Sequence, residues 1–203
     1  MDKCIVTIGR EFGSGGHEIG VKLAAAMGVP FYDNEILTRA AQESGICEEL
    51  MQEHDEKTTP SYLFSFAPGL YAFPGGTPAS LPLNQRIFLA QFDAITRFAN
   101  DGPCVIVGRC ADYVLRERTD TVNVFVYATM AARARRIAAL HNITEAAAKD
   151  DLIKMDRQRQ SYYNFFADGD WGDHNHYDLM LSTDHMTPDG CVDVIRSYIM
   201  HRT

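Results

Sequence analysis

Ile5-Val6-Thr7-Ile8-Gly9-Arg10-Glu11-Phe12-Gly13-Ser14-Gly15-Gly16-His17-Glu18-Ile19-Gly20 carries an apolar, β-branched run into a glycine-rich turn and out into an amphipathic segment. Ile19, Leu23 and Met27 recur four residues apart, so the order reads strand, loop, helix. Glycines let backbone N–H groups close around an anion, and a helix N-terminus adds partial positive charge. The stretch therefore predicts a phosphate-binding loop, with Gly13, Ser14, Gly15, Gly16, His17 and Glu18 as its residues. A tight turn that only packs helix on sheet is the plainer alternative. The five glycines between Gly9 and Gly20, placed at the first strand, favour phosphate. Where a Walker A motif would continue with lysine and a hydroxyl residue, this loop has Gly16 and His17.

Outward from the loop, strand-like and helical segments alternate. Cys4–Ile8, 29–32, Cys104–Val107, Thr121–Tyr127 and Leu179–Leu181 read as strands. Helices are expected over Gly16–Met27, from Asp33 as a cap to about Gln42, and over Asn84–Phe98. Three more are expected after Thr129, Thr144 and Thr187, each an N-cap, with Pro188 at the first position of the last. Short apolar strands between helices imply βαβ units and a parallel sheet covered on both faces. The fold expected is α/β: a P-loop three-layer sandwich with a five-stranded parallel sheet and a helical lid. At 203 residues one domain, 1–203, suffices. Within it, an acceptor or lid insertion is expected at about 45–83 and a lid region at about 133–176. Residues 58–82 are rich in Pro, Gly and aromatics, and read as an ordered lid or interface loop, with a possible homodimer through it.

Composition narrows the function. A net charge of −8 argues against a general nucleic-acid or membrane-surface binder. No apolar run approaches the ~20 residues of a membrane helix, and the chain enters its first strand at once, so neither a membrane span nor a signal peptide is expected. Cys4, Cys47, Cys104, Cys110 and Cys191 are scattered, with no CxxC pair, which favours reduced thiols and a cytoplasmic setting. Cys4 and Cys104 read as small buried hydrophobes. Asp168 to Asp178 brings His174 and His176 among aspartates, but at no standard metal spacing, so a turn anchoring Trp171 is the preferred reading. No GxSxG elbow is present.

Against the acidic background, arginines gather locally. Arg39 lies six residues after Asp33, and Arg109 ends the central apolar strand, where parallel α/β folds place ligands. Arg133, Arg135 and Arg136 share one helix, and Asp156, Arg157 and Arg159 the next. The planar guanidinium matches phosphate oxygens in a bidentate way. A solvated helix face is the alternative for one of Arg135 and Arg136.

Over nearly its whole length the chain resembles the cytidylate kinase-like family, relatives of bacterial cytidylate kinase among the P-loop nucleoside monophosphate kinases. The resemblance is carried by IGREFGSGGHEIG, PFYD, VIVGRCADYVL, DRQRQSYYNFF and WGDHNHYDL. It implies that Asp33, Arg39, Arg109, Asp112, Asp156 and Arg159 hold the acceptor, and that Arg133 and Arg136 face the donor nucleotide. The donor side departs from the family: Gly16 for the lysine, His17 for the Mg²⁺-binding hydroxyl, Cys110 for an acidic residue. Arg10, with Arg133, Arg136 and Arg157, is the candidate to supply the missing charge in catalysis. The resemblance implies ATP and Mg²⁺ as cofactors and small-molecule nucleotides as partners, with CMP or dCMP the first-choice acceptor. A kinase for another small acceptor and a nucleotide-binding regulatory module with little turnover are the rival readings.

Overall fold

The computed structural model describes residues 4–56 and 81–202. Five strands, β1 (Ile5–Arg10), β2 (Phe31–Tyr32), β3 (Val105–Val107), β4 (Thr121–Tyr127) and β5 (Leu179–Ser182), form one sheet in the order β2-β3-β1-β4-β5. All neighbours are parallel, so every strand delivers its C-terminal loop to the same edge. Eight helices are described: α1 (Gly16–Met27), α2 (Glu35–Ser44), α3 (Glu48–Glu53), α4 (Leu83–Asp101), α5 (Ala111–Val114), α6 (Met130–His141), α7 (Glu145–Phe166) and α8 (Pro188–His201).

The two-residue period of a strand sorts side chains into two cores. Val6 and Ile8 of β1, Val105 and Val107 of β3, and Val122, Val124 and Val126 of β4 face α1 and α8. Ile5, Cys104 and Ile106 face the other way, onto α2 and α4. Both sheet faces are thus covered, which explains why the strands read as continuous apolar runs. Cys4 and Cys104 are buried in these cores, as expected of small hydrophobes, and burial pushes the Cys104 thiol up to about 12.

The N-caps read from threonines are formed. Thr129, Thr144 and Thr187 accept from the N–H of Ala132, Ala147 and Gly190 respectively. Two expectations differ. Asp33 does not cap α2: Asn34 occupies the cap position, and the Asp33 carboxylate is drawn to Arg109 instead. Arg10 belongs to β1 rather than to the loop, because Gly9 and Arg10 keep register with Phe125 and Val126 of β4. Helices α3 and α5, one turn or little more, were not foreseen. Most of the 58–82 segment, and with it the homodimer expectation, lies outside the described residues.

α6 and α7 form an antiparallel pair joined by 142–144, and bury Ala134, Ile137, Ala148 and Leu152 between them, with Phe12 of the loop packed against this cluster. Along α7, Ala148, Leu152, Asp156, Arg159 and Tyr163 fall three or four residues apart on one face. That stripe runs from apolar packing through charge to aromatic packing, and it faces the glycine loop.

Candidate active site

The glycine loop is shaped from outside. Gly13 and Gly15 have φ of +76° and +90°, in the left-handed region. Arg133 donates to the carbonyl of Phe12 at 3.1 Å, Arg136 to that of Gly13 at 2.8 Å, and Thr183 Oγ1 to that of Ser14 at 2.8 Å. In a trans peptide the following N–H points opposite to its carbonyl. The carbonyls of Phe12 and Ser14, held by Arg133 and Thr183, therefore turn the N–H groups of Gly13 and Gly15 away from those two side chains. The first intrahelical bond of α1 is Ile19 N–H to Gly15 at 3.0 Å, so the N–H groups of Gly16, His17 and Glu18 precede it. Such free first-turn donors at a positive helix end are where an anion sits.

Beside the loop, at the ends of β1 and β3, three arginines meet three carboxylates. Gly108, Arg109 and Cys110 follow β3 in consecutive left-handed conformations, φ +75°, +54° and +55°. This sharp turn places the Arg109 side chain, 2 % exposed, back over the sheet edge. Arg109 pairs with Asp33, and with Asp55 at 2.8 and 3.1 Å. Glu56 accepts from Arg10 at 2.6 Å, from Arg159 Nε at 2.9 Å and from the Arg109 backbone N–H at 3.3 Å. Burial alone would raise the Glu56 carboxyl, but Arg10, Arg159 and Arg109 outweigh it and hold it well below the usual range. Burial opposes the charge on Arg109 too, and Asp55, Asp33 and Glu56 more than restore it. Arg159 is shifted down, by burial and then by the nearby Arg10.

The α6–α7 pair closes the other side. Arg133 pairs with Asp156 and, at 3.3 Å, with Glu11. Asp156 also accepts the Phe12 N–H at 2.7 Å, which ties α7 to the loop. A cavity of about 20 Å³, large enough for one water, lies beneath the arginines, bordered by Thr7, Arg10, Arg109, Asp112, Arg159 and Trp171. In its wall the Tyr163 hydroxyl donates to Asp112 at 2.7 Å, with His176 Nδ1 3.4 Å from the same hydroxyl. Burial raises the Asp112 carboxyl. Trp171 meets Phe125 edge-on, so the Asp168–Asp178 stretch does act as a turn anchoring this tryptophan.

The structure thus gathers Arg10, Asp33, Arg109, Asp112, Asp156, Arg159, Arg133 and Arg136 around one loop. It does not gather Arg39 or Arg157. Arg39 is exposed on α2 and paired with Glu43, which Arg97 of α4 also joins at 2.8 Å. Arg157 lies off the inward stripe of α7 and is exposed. Arg135 is the solvated member of its pair. His17 is mostly exposed, with Nε2 3.5 Å from Asp33, and Glu18 is 3.9 Å from Lys22. Sequence reasoning missed Asp55, Glu56, Glu11 and Thr183. Asp55 and Glu56 follow a short helix with no periodicity of their own, and Glu56 is 46 residues from Arg10. No local signal marks them.

Among the described residues no three His, Cys, Asp or Glu side chains are grouped to hold a metal. The first turn of α1 offers the His17 ring where a hydroxyl would serve Mg²⁺, and Ser14 Oγ is engaged with the Glu11 carbonyl at 2.8 Å. These residues do not fit a protein-held Mg²⁺.

Residues 5–185 match the cytidylate kinase-like family. A cytidylate kinase of Pyrococcus horikoshii is 23% identical over 202 residues, covering 98% of this chain and 90% of that protein. Among solved structures, an uncharacterized protein from Eubacterium ventriosum superimposes with a TM-score of 0.72 at 27% identity, over 98% of this chain and 100% of the other. A shikimate kinase from Bacteroides thetaiotaomicron has a TM-score of 0.55 at 13% identity, over 97% and 98%, a likeness of fold alone.

Proposed function

The chain belongs to the cytidylate kinase-like family, and from that premise we propose that it transfers the γ-phosphoryl group of ATP to a nucleoside monophosphate, CMP or dCMP first. The observation that carries this reading is the convergence of Arg10, Arg109 and Arg159 beside a glycine loop whose Phe12 and Ser14 carbonyls are held by Arg133 and Thr183. Phosphoryl transfer asks little covalent chemistry of a protein and much positioning and charge neutralisation. In this reading the N–H groups of Gly13, Gly15, Gly16, His17 and Glu18 cradle the donor phosphates, and Arg136, hydrogen-bonded to Gly13, stands at the loop. Arg109 and Arg159 orient the acceptor phosphate. Arg10 bridges the two sides, since its stem runs past Gly16 and its head lies near Gly108. The acceptor oxygen is already anionic, so no general base is required. Mg²⁺ would travel on the ATP phosphates, which it partly neutralises, and keep several waters.

No described helix is long and apolar enough to cross a membrane. A cytoplasmic setting, with no nucleic-acid or membrane partner, belongs to the proposal and agrees with cysteines that form no disulfide among the described residues. ADP release measured with ATP·Mg²⁺ across a panel of nucleoside monophosphates tests it. CMP or dCMP should give the fastest release. Release only with another small acceptor would reassign the substrate, and nucleotide binding without release would make the chain a binding module.

A further inference from the structure

Among the described residues, Glu56 is the only carboxylate that touches Arg10, Arg109 and Arg159. It meets Arg10 at 2.6 Å, Arg159 at 2.9 Å and the Arg109 backbone N–H at 3.3 Å. Two of these are guanidinium groups and one is a main-chain donor in a left-handed turn, the donor set that suits a phosphate. The residue is 7 % exposed, yet its backbone stands at φ +50°, a conformation that side chains other than glycine adopt at a cost. Its neighbour Asp55 accepts from Nε and Nη2 of Arg109 at 3.1 and 2.8 Å. Three guanidinium groups, of Arg10, Arg109 and Arg159, thereby face three carboxylates: Glu56 serves Arg10 and Arg159, and Asp33 and Asp55 share Arg109. An anionic acceptor entering this arrangement would meet a cluster neutral in sum, with Glu56 already on Arg10 and Arg159.

We propose that Glu56 is an internal phosphate surrogate: its carboxylate fills the seat of the acceptor phosphate, and acceptor binding must expel it. The turn that carries Glu56 then exchanges with the substrate, and the arginines are never left buried without a counter-charge. Loss of such a buried partner leaves an uncompensated charge, which explains why a free site would keep an internal anion. The backbone strain at Glu56 favours its departure once the arginines have another partner. A competitor of this kind lowers the apparent affinity for acceptor by the fraction of molecules in which the seat is open. The inference rests on the kinase reading only for the identity of the incoming anion.

Inorganic phosphate is the probe, in two measurements. Phosphate binding is compared between wild type and Glu56→Gln by calorimetry, and amide hydrogen exchange across 50–56 is followed in wild type with and without saturating phosphate. Phosphate should bind Glu56→Gln about tenfold or more tightly. In wild type, phosphate should speed exchange at His54 to Glu56, whereas a ligand that merely adds contacts would slow it. Unchanged or weaker phosphate binding by the variant, or unchanged or slower exchange in wild type, overturns the proposal. Should the variant fail to fold, the wild-type exchange decides alone. Because the probe carries no nucleotide, a chain that expels Glu56 for phosphate yet turns over no monophosphate would sink the kinase reading and leave this one standing.

Discussion

A methyl group added at Gly16 would stand 2.6 Å from Cβ of Arg10 and 3.1 Å from its Cγ. The stem of Arg10 fills the space that a side chain leaving position 16 would need. Gly16 and Arg10 are therefore one arrangement: position 16 has no room for a side chain while Arg10 lies across it, and in the proposed reaction Arg10 stands in for the lysine. Arg10→Ala should lower kcat by about 10²–10³-fold, the penalty for one lost stabilising donor. Gly16→Lys alone should be inactive, because its stem collides with Arg10. In the double variant Arg10→Ala/Gly16→Lys the collision is gone and a cation is restored, so activity should exceed that of either single variant. Steady-state kinetics of the four proteins form a cycle. Simple additivity of the two losses would mean that the residues do not exchange roles.

Arg109→Ala removes the fork that holds Asp33 and Asp55. Two half-buried carboxylates lose their partner, and urea titration should show a loss of about 3 kcal/mol, the lower end for a buried pair. Trp171 borders the cavity beneath Arg109, so its fluorescence can report binding. The dissociation constant for CMP should rise about tenfold or more while that for ATP changes far less, as expected for loss of a bidentate phosphate contact. Arg109→Lys keeps the charge but not the fork, and should lose most of the CMP affinity with less damage to the fold. Equal losses for both ligands would make Arg109 a structural residue only.

Arg136 and Arg135 are adjacent in sequence and opposite in task. Arg136 donates to the Gly13 carbonyl at 2.8 Å, whereas Arg135 points to solvent. Arg136→Ala should raise KM for ATP and cost about 1.5–3 kcal/mol of stability, the range for a hydrogen bond from a charged group. Arg135→Ala should stay within about 0.5 kcal/mol and leave KM unchanged. The pair is read by thermal unfolding together with ATP titration.

Burial raises the Asp112 carboxyl, while the Tyr163 hydroxyl donates to it at 2.7 Å. A carboxyl raised on folding contributes stability that is full below its unfolded value of about 3.9 and is lost as pH rises through the folded value. Asp112→Asn keeps an acceptor for Tyr163 and has no such loss. The variant should therefore be at least as stable as wild type at pH 7, and the difference should shrink as pH falls into the carboxyl range. Glu56, held low, works in the opposite sense: its contribution is present at neutral pH and fades as pH falls from the ordinary carboxyl value. A stability difference for Asp112→Asn that grows on acidification would contradict the assignment.

The frame of the molecule was legible because it is local. Alternating apolar strands, threonine N-caps and the Gly13–Gly15 turn each carry their cause within a few residues, and α1 runs over Gly16–Met27 as the spacing of Ile19, Leu23 and Met27 requires. The arginines of the site were legible by type. Their partners were not. Glu56 reaches Arg10 across 46 residues and Arg159 across 103, and no periodicity links them. Arg39 shows the reverse: its spacing from Asp33 was read, but not its partner Glu43, one helical turn away on an exposed face. Spacing fixed its helix and not its direction.

Transfer itself is the decisive observation. Wild-type protein is incubated with ATP carrying a labelled γ-phosphate, Mg²⁺ and CMP, and the products are separated. The label should appear in CDP, in step with ADP, and Arg10→Ala should slow its appearance without changing its destination. Label that stays in ATP with every monophosphate offered, or that leaves only as inorganic phosphate, would contradict a nucleoside monophosphate kinase built on Arg10, Arg109 and Arg159.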